Sequence, residues 1–342
     1  MKHAAMLTVL AAASPACTGK TDAEYRADVI AEMHDAIGAE LDDLVQASHD
    51  LQTAAPSHAW SETADAVEIA MMRDAWRRTR MAYEHIEGAT TPLFGDLDYT
   101  MDARYDDYLA RLGPDGDRAL FDASGVTGMH GIERILYAHD IRPEIIAFEA
   151  TLPGYMPAAF PRTDAEAIAF KTELVGKLVD DADLLRDQWQ PAAIDIGAAY
   201  QGLVGLMNEQ KDKINAAVTG AQESRYADIT LFDLRNNLAG TKGVYESFRP
   251  WIQARAMTSD DTIVLRFRAL TTLYGVTPGD ALPRVPRGWD SDDPTPAQLG
   301  TPFGMLWQAV HDNVNASKQG SIVFEMNRVA TVLGFPEFIA ED

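Results

Sequence analysis

Asp22-Ala23-Glu24-Tyr25-Arg26-Ala27-Asp28-Val29-Ile30-Ala31-Glu32-Met33-His34-Asp35-Ala36-Ile37-Gly38-Ala39-Glu40-Leu41-Asp42-Asp43-Leu44 decides the fold class. Ile30, Met33, Ile37, Leu41 and Leu44 fall three or four residues apart, which is one stripe of a long helix starting near Asp22. Helical spacing of this kind recurs nearly everywhere, and no long stretch alternates with the period of two that marks a strand. After a break at Pro56, a second helix is predicted from near Ser61 to about Glu87, with Val67, Met71, Ala75 and Ile86 among its buried candidates. A loop holding Gly88, Pro92 and Gly95 leads to a helix over Asp98 to Leu112, closed by the turn Gly113-Pro114-Asp115-Gly116. Another runs from about Met129 to His139. Thr163 and Glu166 form a capping-box signature that opens a helix to about Gln188. Further helices are predicted over Ala193 to Val218, Ile229 to Leu238, Val244 to Met257, Asp260 to Tyr274, Phe303 to Ser317 and Ser321 to Leu333, with a Pro/Gly/Asp-rich loop at 277–302. The expected architecture is all-α: two antiparallel bundles, residues 18–157 and 158–342, parted at Leu152-Pro153-Gly154-Tyr155-Met156-Pro157. Tyr83-Glu84 and Tyr245-Glu246, in similar settings, hint at pseudo-symmetry between the halves.

A chain of 342 residues is long enough for about two domains of roughly 150 residues each. Its 46% hydrophobic and 24% charged residues exclude wholesale disorder. Acids outnumber bases 52 to 29, for a formal charge of −23. A field of that sign repels phosphate backbones, so no nucleic-acid partner is expected, whereas cations are welcome. The single cysteine excludes an intramolecular disulfide framework and any Cys-rich zinc or iron–sulfur centre. No apolar run approaches the roughly 18 residues that a membrane span requires.

Met1 to Cys17 reads as an export signal: Lys2 supplies the charged start, and Ala4 to Ala13 a short apolar segment. Ser14-Pro15-Ala16-Cys17 resembles a bacterial lipobox, in which the thiol receives a diacylglycerol, with Ser14 in place of the usual Leu. Plain signal-peptidase cleavage after Ala16, or an uncleaved segment, is the alternative. The expectation is an exported envelope protein, periplasmic or at the outer membrane, that touches the membrane only through a lipid on Cys17.

The sharpest local feature is Gly128-Met129-His130-Gly131-Ile132-Glu133. His130 and Glu133, three apart on a helix, project from one face, an arrangement that builds metal sites inside helical bundles. Glu84 and Glu87 share a face in the same way near the C-terminal end of the second helix. Two carboxylates there repel each other and oppose the helix dipole. A bound cation removes that penalty; the alternative is that one Glu faces solvent and the other pairs with Arg80. Asp98 reads most simply as an N-cap of the next helix, with Asp102 one turn further in.

Tyr83-Glu84-x-x-Glu87, Phe94-Gly95-Asp96-Leu97-Asp98 with Asp102, and Gly128-x-His130-x-x-Glu133 resemble, in order and rough spacing, the imelysin family. That family is also called the insulin-cleaving membrane protease family, and it includes a periplasmic component of bacterial ferrous-iron uptake. Asn208-Glu209, Glu223-Ser224-Arg225-Tyr226, Asp233 and Asn237-Leu238-x-Gly240 are similar to its downstream pattern, so the resemblance runs from about Glu24 to Leu333. It implies a two-bundle helical fold, an extracytoplasmic location and a metal site centred on His-x-x-Glu, with Glu84, Glu87, Asp102, His130 and Glu133 as candidate ligands. The loop between Glu87 and Asp102 is slightly longer here than in the family pattern, which leaves Asp98 and Asp102 competing for one ligand position.

Carboxylates with one imidazole and no sulfur make a hard donor set, suited to iron above all, or to zinc, manganese or calcium. Met71, Met72 and Met81 fit a helical core rather than a copper box. No His-Glu-x-x-His string occurs, Arg134 follows Glu133 where the inverted zinc motif needs His, and no Gly-x-Ser-x-Gly elbow exists. Binding is therefore favoured over hydrolysis. Three functions follow in order: capture of a metal ion for uptake, with a membrane iron-transport component as partner; a metallopeptidase acting on envelope or extracellular proteins; and metal-dependent binding of an anionic polysaccharide. His34, His49, His58, His85, His139 and His311 read as surface or satisfied histidines, and Trp60, Trp76, Trp189, Trp251 and Trp307 as packing anchors.

Overall fold

The computed structural model describes residues 19–111, 119–190 and 193–340. The export segment with Cys17, and the turn expected at Gly113 to Gly116, lie outside the described residues. The described residues form an all-α fold.

Helix α1 (Asp22–Ala54) opens on a capping box between Thr21 and Glu24. It buries Val29, Met33, Ile37, Leu41 and Leu44; Val29 takes the place expected of Ile30, which is only partly buried. Helix α2 (Ala66–Thr90) lies antiparallel against it, since Arg78 pairs with Asp50 and, further along α2, His85 pairs with Glu40. The buried face of α2 carries Ile69, Met72, Trp76, Arg80 and Tyr83. Val67 and Met71, expected in the core, are 68% and 56% exposed, and Met81 also reaches solvent. Each of the first two stands two residues from Ile69, about 200° round the helix. The large rings of Trp76 and Tyr83 set which face turns inward.

The single helix expected over Asp98 to Leu112 is two short ones, α3 (Gly95–Met101) and α4 (Tyr105–Arg111). Asp98 lies inside α3, whose N-cap position is held by Phe94, so the N-cap reading of Asp98 is corrected. Asp98 instead accepts hydrogen bonds from Tyr83 and from Thr91 Oγ1, the latter at 2.7 Å. Burial pushes its pKa up to about 6. Helix α5 (Gly128–Leu136) has all nine residues buried, and α6 (Pro143–Glu149) follows.

The Thr163/Glu166 capping box forms as expected and opens α7 (Asp164–Ala169), which passes through a π-helical turn (Phe170–Leu174) into α8 (Val175–Trp189). Helix α9 (Ile196–Asn215) precedes the longest element, α10 (Thr230–Val276). Three helices were expected across that span. They are one run bent at Ala256 (φ −147°), and the interruption expected around Ala239 to Gly243 does not occur. Short α11 (Pro296–Leu299), α12 (Pro302–Val314) and α13 (Ile322–Leu333) complete the chain. A continuous apolar core joins helices from α1 to α13; α1 packs on α8, where Trp189 Nε1 donates to the His34 carbonyl at 3.3 Å.

In α12 the His311 ring lies 4.0 Å from Trp307, centroid to centroid, and its Nε2 is 3.3 Å from Asn215 Oδ1. Burial pushes its pKa down to about 4, with Lys211 adding to the effect. Between pH 6.5 and 4 the unfolded chain takes up a proton that the folded ring refuses, so acid in that window destabilises the fold. His311→Gln removes this titrating group. Urea midpoints at pH 7.5 and pH 5.0 are expected to show the variant gaining on the wild type at the lower pH; equal pH responses would refute this role.

Candidate metal centre

Local sequence explains why the His-x-x-Glu helix sits where it does. Gly128 starts α5 with φ +76°, and a Cβ there would stand 2.3 Å from the Met101 carbonyl oxygen. Only glycine allows α5 to begin against the end of α3, next to Asp102. Trp76 Nε1 donates to the Met129 carbonyl at 2.9 Å and ties α5 to α2.

His130 and Glu133 do share a face: Nδ1 and Oε2 are 2.9 Å apart. Glu133 Oε1 accepts from the backbone N–H groups of Tyr226 and Ala227 at 2.9 and 2.8 Å, so one carboxylate orients the imidazole and holds the loop before α10. That loop delivers Glu223. His130 Nε2 then faces Asp102 Oδ1 at 3.3 Å and Glu223 Oε1 at 3.2 Å. Among the described residues, Asp102, His130 and Glu223 form a group whose donor atoms lie within 4.8 Å of one another and can hold a metal ion.

Two buried cations balance the carboxylates. Arg80 Nη1 donates to Asp102 Oδ1 at 2.5 Å, and Nη2 to Glu84. Lys213 Nζ donates to Asn237 Oδ1 at 3.0 Å and stands 3.4 Å from Glu87 and 3.7 Å from Glu223. Burial alone would lower the His130 pKa, but Asp102 outweighs it, with hydrogen bonds to Asp102, Glu133 and Glu223 adding, and holds the imidazole well above its usual range. Burial likewise works to raise Glu223, yet Lys213 and His130 hold it well below the usual carboxylate range. Asp102 is also lowered, because Arg80 and His130 overcome its desolvation.

Of the five expected ligands, Asp102 and His130 meet, joined by Glu223 from 93 residues downstream. Glu133 stands behind the imidazole. Glu84 is fully buried with Oε1 on Arg80 and Oε2 on Asn237, and Glu87 accepts from Asn237 Nδ2 at 2.7 Å. The alternative pairing of Arg80 with Glu84 therefore forms, in the interior, whereas Glu87 does not turn out to solvent. Sequence alone gives no role to Lys213, and to Arg80 only that of a partner to Glu84; the signal for Glu223 is the motif Glu223-Ser224-Arg225-Tyr226.

A cavity of about 260 Å³ opens onto Asp102 and Glu223. Glu87, Glu209 and Asp212 add to its acidic wall against Arg104 and Lys213. Glu209 keeps some contact with solvent, yet desolvation by the protein packed around its carboxylate, with Glu87 adding, pushes its pKa up to about 7.

The Imelysin family model matches residues 37–276. The iron uptake system component EfeM of Pseudomonas syringae pv. syringae is 23% identical over 186 residues, which are 54% of this chain and 51% of that protein. An Efem/EfeO family lipoprotein of Staphylococcus aureus is 24% identical over 206 residues, 60% of this chain and 59% of its own. The chain thus spans only about half to three fifths of the length of these relatives. In fold it is similar to an imelysin-like protein from Psychrobacter arcticum, with a TM-score of 0.55 at 14% identity over 92% of this chain and 98% of the other.

Proposed function

The chain belongs to the imelysin family, and on that premise we propose that it is an extracytoplasmic protein that captures iron, or another divalent cation, for uptake. The observation that carries this is the convergence of Asp102 Oδ1, His130 Nε2 and Glu223 Oε1 at the wall of the acidic cavity. Ligand atoms about 2.1 Å from one ion and at right angles to each other are about 3.0 Å apart. The separations of 3.3 and 3.2 Å around Nε2 are close to that edge. Two carboxylates and one imidazole are a hard donor set suited to iron, manganese or zinc. Glu84 and Glu87 extend the negative field around the inner three, and Glu133 fixes the imidazole as outer carboxylates do in metal sites.

Two names among the relatives support the cellular setting: one is an iron uptake system component, the other a lipoprotein. No helix among the described residues is long and apolar enough to cross a membrane. A lipid on Cys17 would hold the protein at the envelope, where a membrane iron-transport component takes over the ion. An imidazolium cannot ligate, so loading releases the His130 proton and weakens as pH falls.

Elemental analysis and titration with iron(II), manganese(II), zinc(II) and calcium(II) test the reading. Wild type is expected to hold one ion, and His130→Ala and Glu223→Gln each to weaken binding about a hundredfold with helicity intact. A wild type that binds none of the four, or variants that bind as well, would refute it. Proteolysis abolished by a chelator would move the metallopeptidase reading forward, and metal-dependent retention on an anionic polysaccharide the glycan-binding one.

A further inference from the structure

Arg80 is a wholly buried guanidinium surrounded by acids. Nη1 donates to Asp102 Oδ1, and Nη2 stands 3.4 Å from Glu223 Oε1 besides meeting Glu84. These are the two oxygens that also face His130 Nε2. On its far side Nε is 3.8 Å from Asp233 Oδ1, and neither atom has a hydrogen-bond partner among the described residues. A cation fixed in the protein therefore already touches both carboxylate atoms that an arriving ion would use.

We propose that Arg80 is a built-in counter-ion that takes the place of the metal in the empty protein, keeping Asp102 and Glu223 converged while limiting how tightly the ion is held. The inference rests on the metal-binding reading above. Without Arg80, Glu84, Asp102, Glu223 and Asp233 would be four crowded carboxylates, with Lys213 beside Glu84 and Glu223 offsetting only part of their charge, and repulsion would splay or protonate them. With Arg80 present the ligands stay aimed at His130. The same positive charge, a few ångströms from the ion, opposes its binding in a medium that screens poorly. An uptake protein must also let its cargo go, and a competing internal cation serves release.

A mere structural prop and a counter-ion differ in sign. Loss of a prop weakens both the fold and metal binding; loss of a counter-ion weakens the metal-free fold but tightens binding. Arg80→Gln is expected to lower the Tm of the metal-free chain and to bind Mn2+ about tenfold or more tighter by chelator competition. Its Tm should consequently rise further than the wild type's when Mn2+ is added. Arg80→Lys keeps the charge but cannot bridge Asp102 and Glu84, so it should lose metal-free stability with Mn2+ affinity within about threefold of wild type. If Arg80→Gln folds only with metal, it is refolded in Mn2+ and measured by the same competition. Weaker Mn2+ binding by Arg80→Gln, or parallel losses in both variants, would overturn the assignment. A wild type that fails to bind Mn2+ or any other ion would sink the metal reading itself, whereas a binding wild type with an Arg80→Gln no tighter sinks only the role of Arg80.

Discussion

Glu133→Ala is expected to lower the unfolding free energy by about 4 kcal/mol, the range measured when one partner of a buried ionic contact is removed. Glu133 is fully buried, and both its oxygens are committed: Oε2 to His130 Nδ1, Oε1 to the N–H groups of Tyr226 and Ala227. Alanine leaves one buried backbone donor, one part-buried donor and one imidazole nitrogen with no acceptor, and a buried orphan costs about 1–3 kcal/mol. The damage reaches the site by two routes. The imidazole is freed to rotate about its side-chain bonds, and the loop carrying Glu223 loses its hold on α5. Metal affinity is therefore expected to fall about ten- to a hundredfold beyond what lost stability explains. Glu133→Gln separates the routes, because an amide oxygen can accept from either the imidazole or the loop while its NH2 group faces the other as a donor. It should recover part of the stability but little of the affinity. Urea denaturation and metal titration of both variants decide it; a Glu133→Ala protein as stable as wild type would show that the contacts are incidental.

What sequence could and could not reveal follows from the range of the interactions. The α1 stripe from Met33 to Leu44 is read correctly because burial there repeats every turn, and the Thr163–Glu166 box because cap and partner are three residues apart. Val67 and Met71 misled because α2 carries apolar side chains on more than one face, and only packing against α1 and α10 settles which turns inward. The His130–Glu133 pair was legible from local spacing. Glu223 was not, since no periodicity links a loop residue to a histidine 93 positions away; its position depends on Glu133 gripping the backbone of residues 226 and 227. Arg80 was visible only as a partner four residues from Glu84, and its burial arises from Asp102, Glu223 and Asp233 on three other segments. The hint in Tyr83-Glu84 and Tyr245-Glu246 gains one more correspondence. Tyr83 donates to Asp98 and Tyr245 to Asp260, each fifteen residues on.

Gly240→Ala is expected to cost about 3 kcal/mol or more, the upper range of overpacking. Its added Cβ would stand 2.2 Å from the His85 carbonyl oxygen and 2.3 Å from the His85 Cα. These are backbone atoms in the C-terminal part of α2, so no side-chain rotation relieves the clash and the helices must separate. They would separate beside the site: Asn237, one turn before Gly240, donates to Glu84 and Glu87, and Asn236 meets His85. Moving α10 outward also carries Asp233 and the loop bearing Glu223 away from Arg80. Metal binding should therefore weaken together with stability, although residue 240 touches no candidate ligand directly. Gly243→Ala, one turn on in the same helix, is the matched control. Nothing lies within 4 Å of a Cβ at Gly243, so the substitution is expected to stabilise by up to about 1 kcal/mol through helix propensity alone. Thermal and urea denaturation of the two alanine variants compare a methyl group in one helix with and without a backbone in its way. Equal effects at the two positions would mean that the close approach of α10 to α2 does not hold in solution.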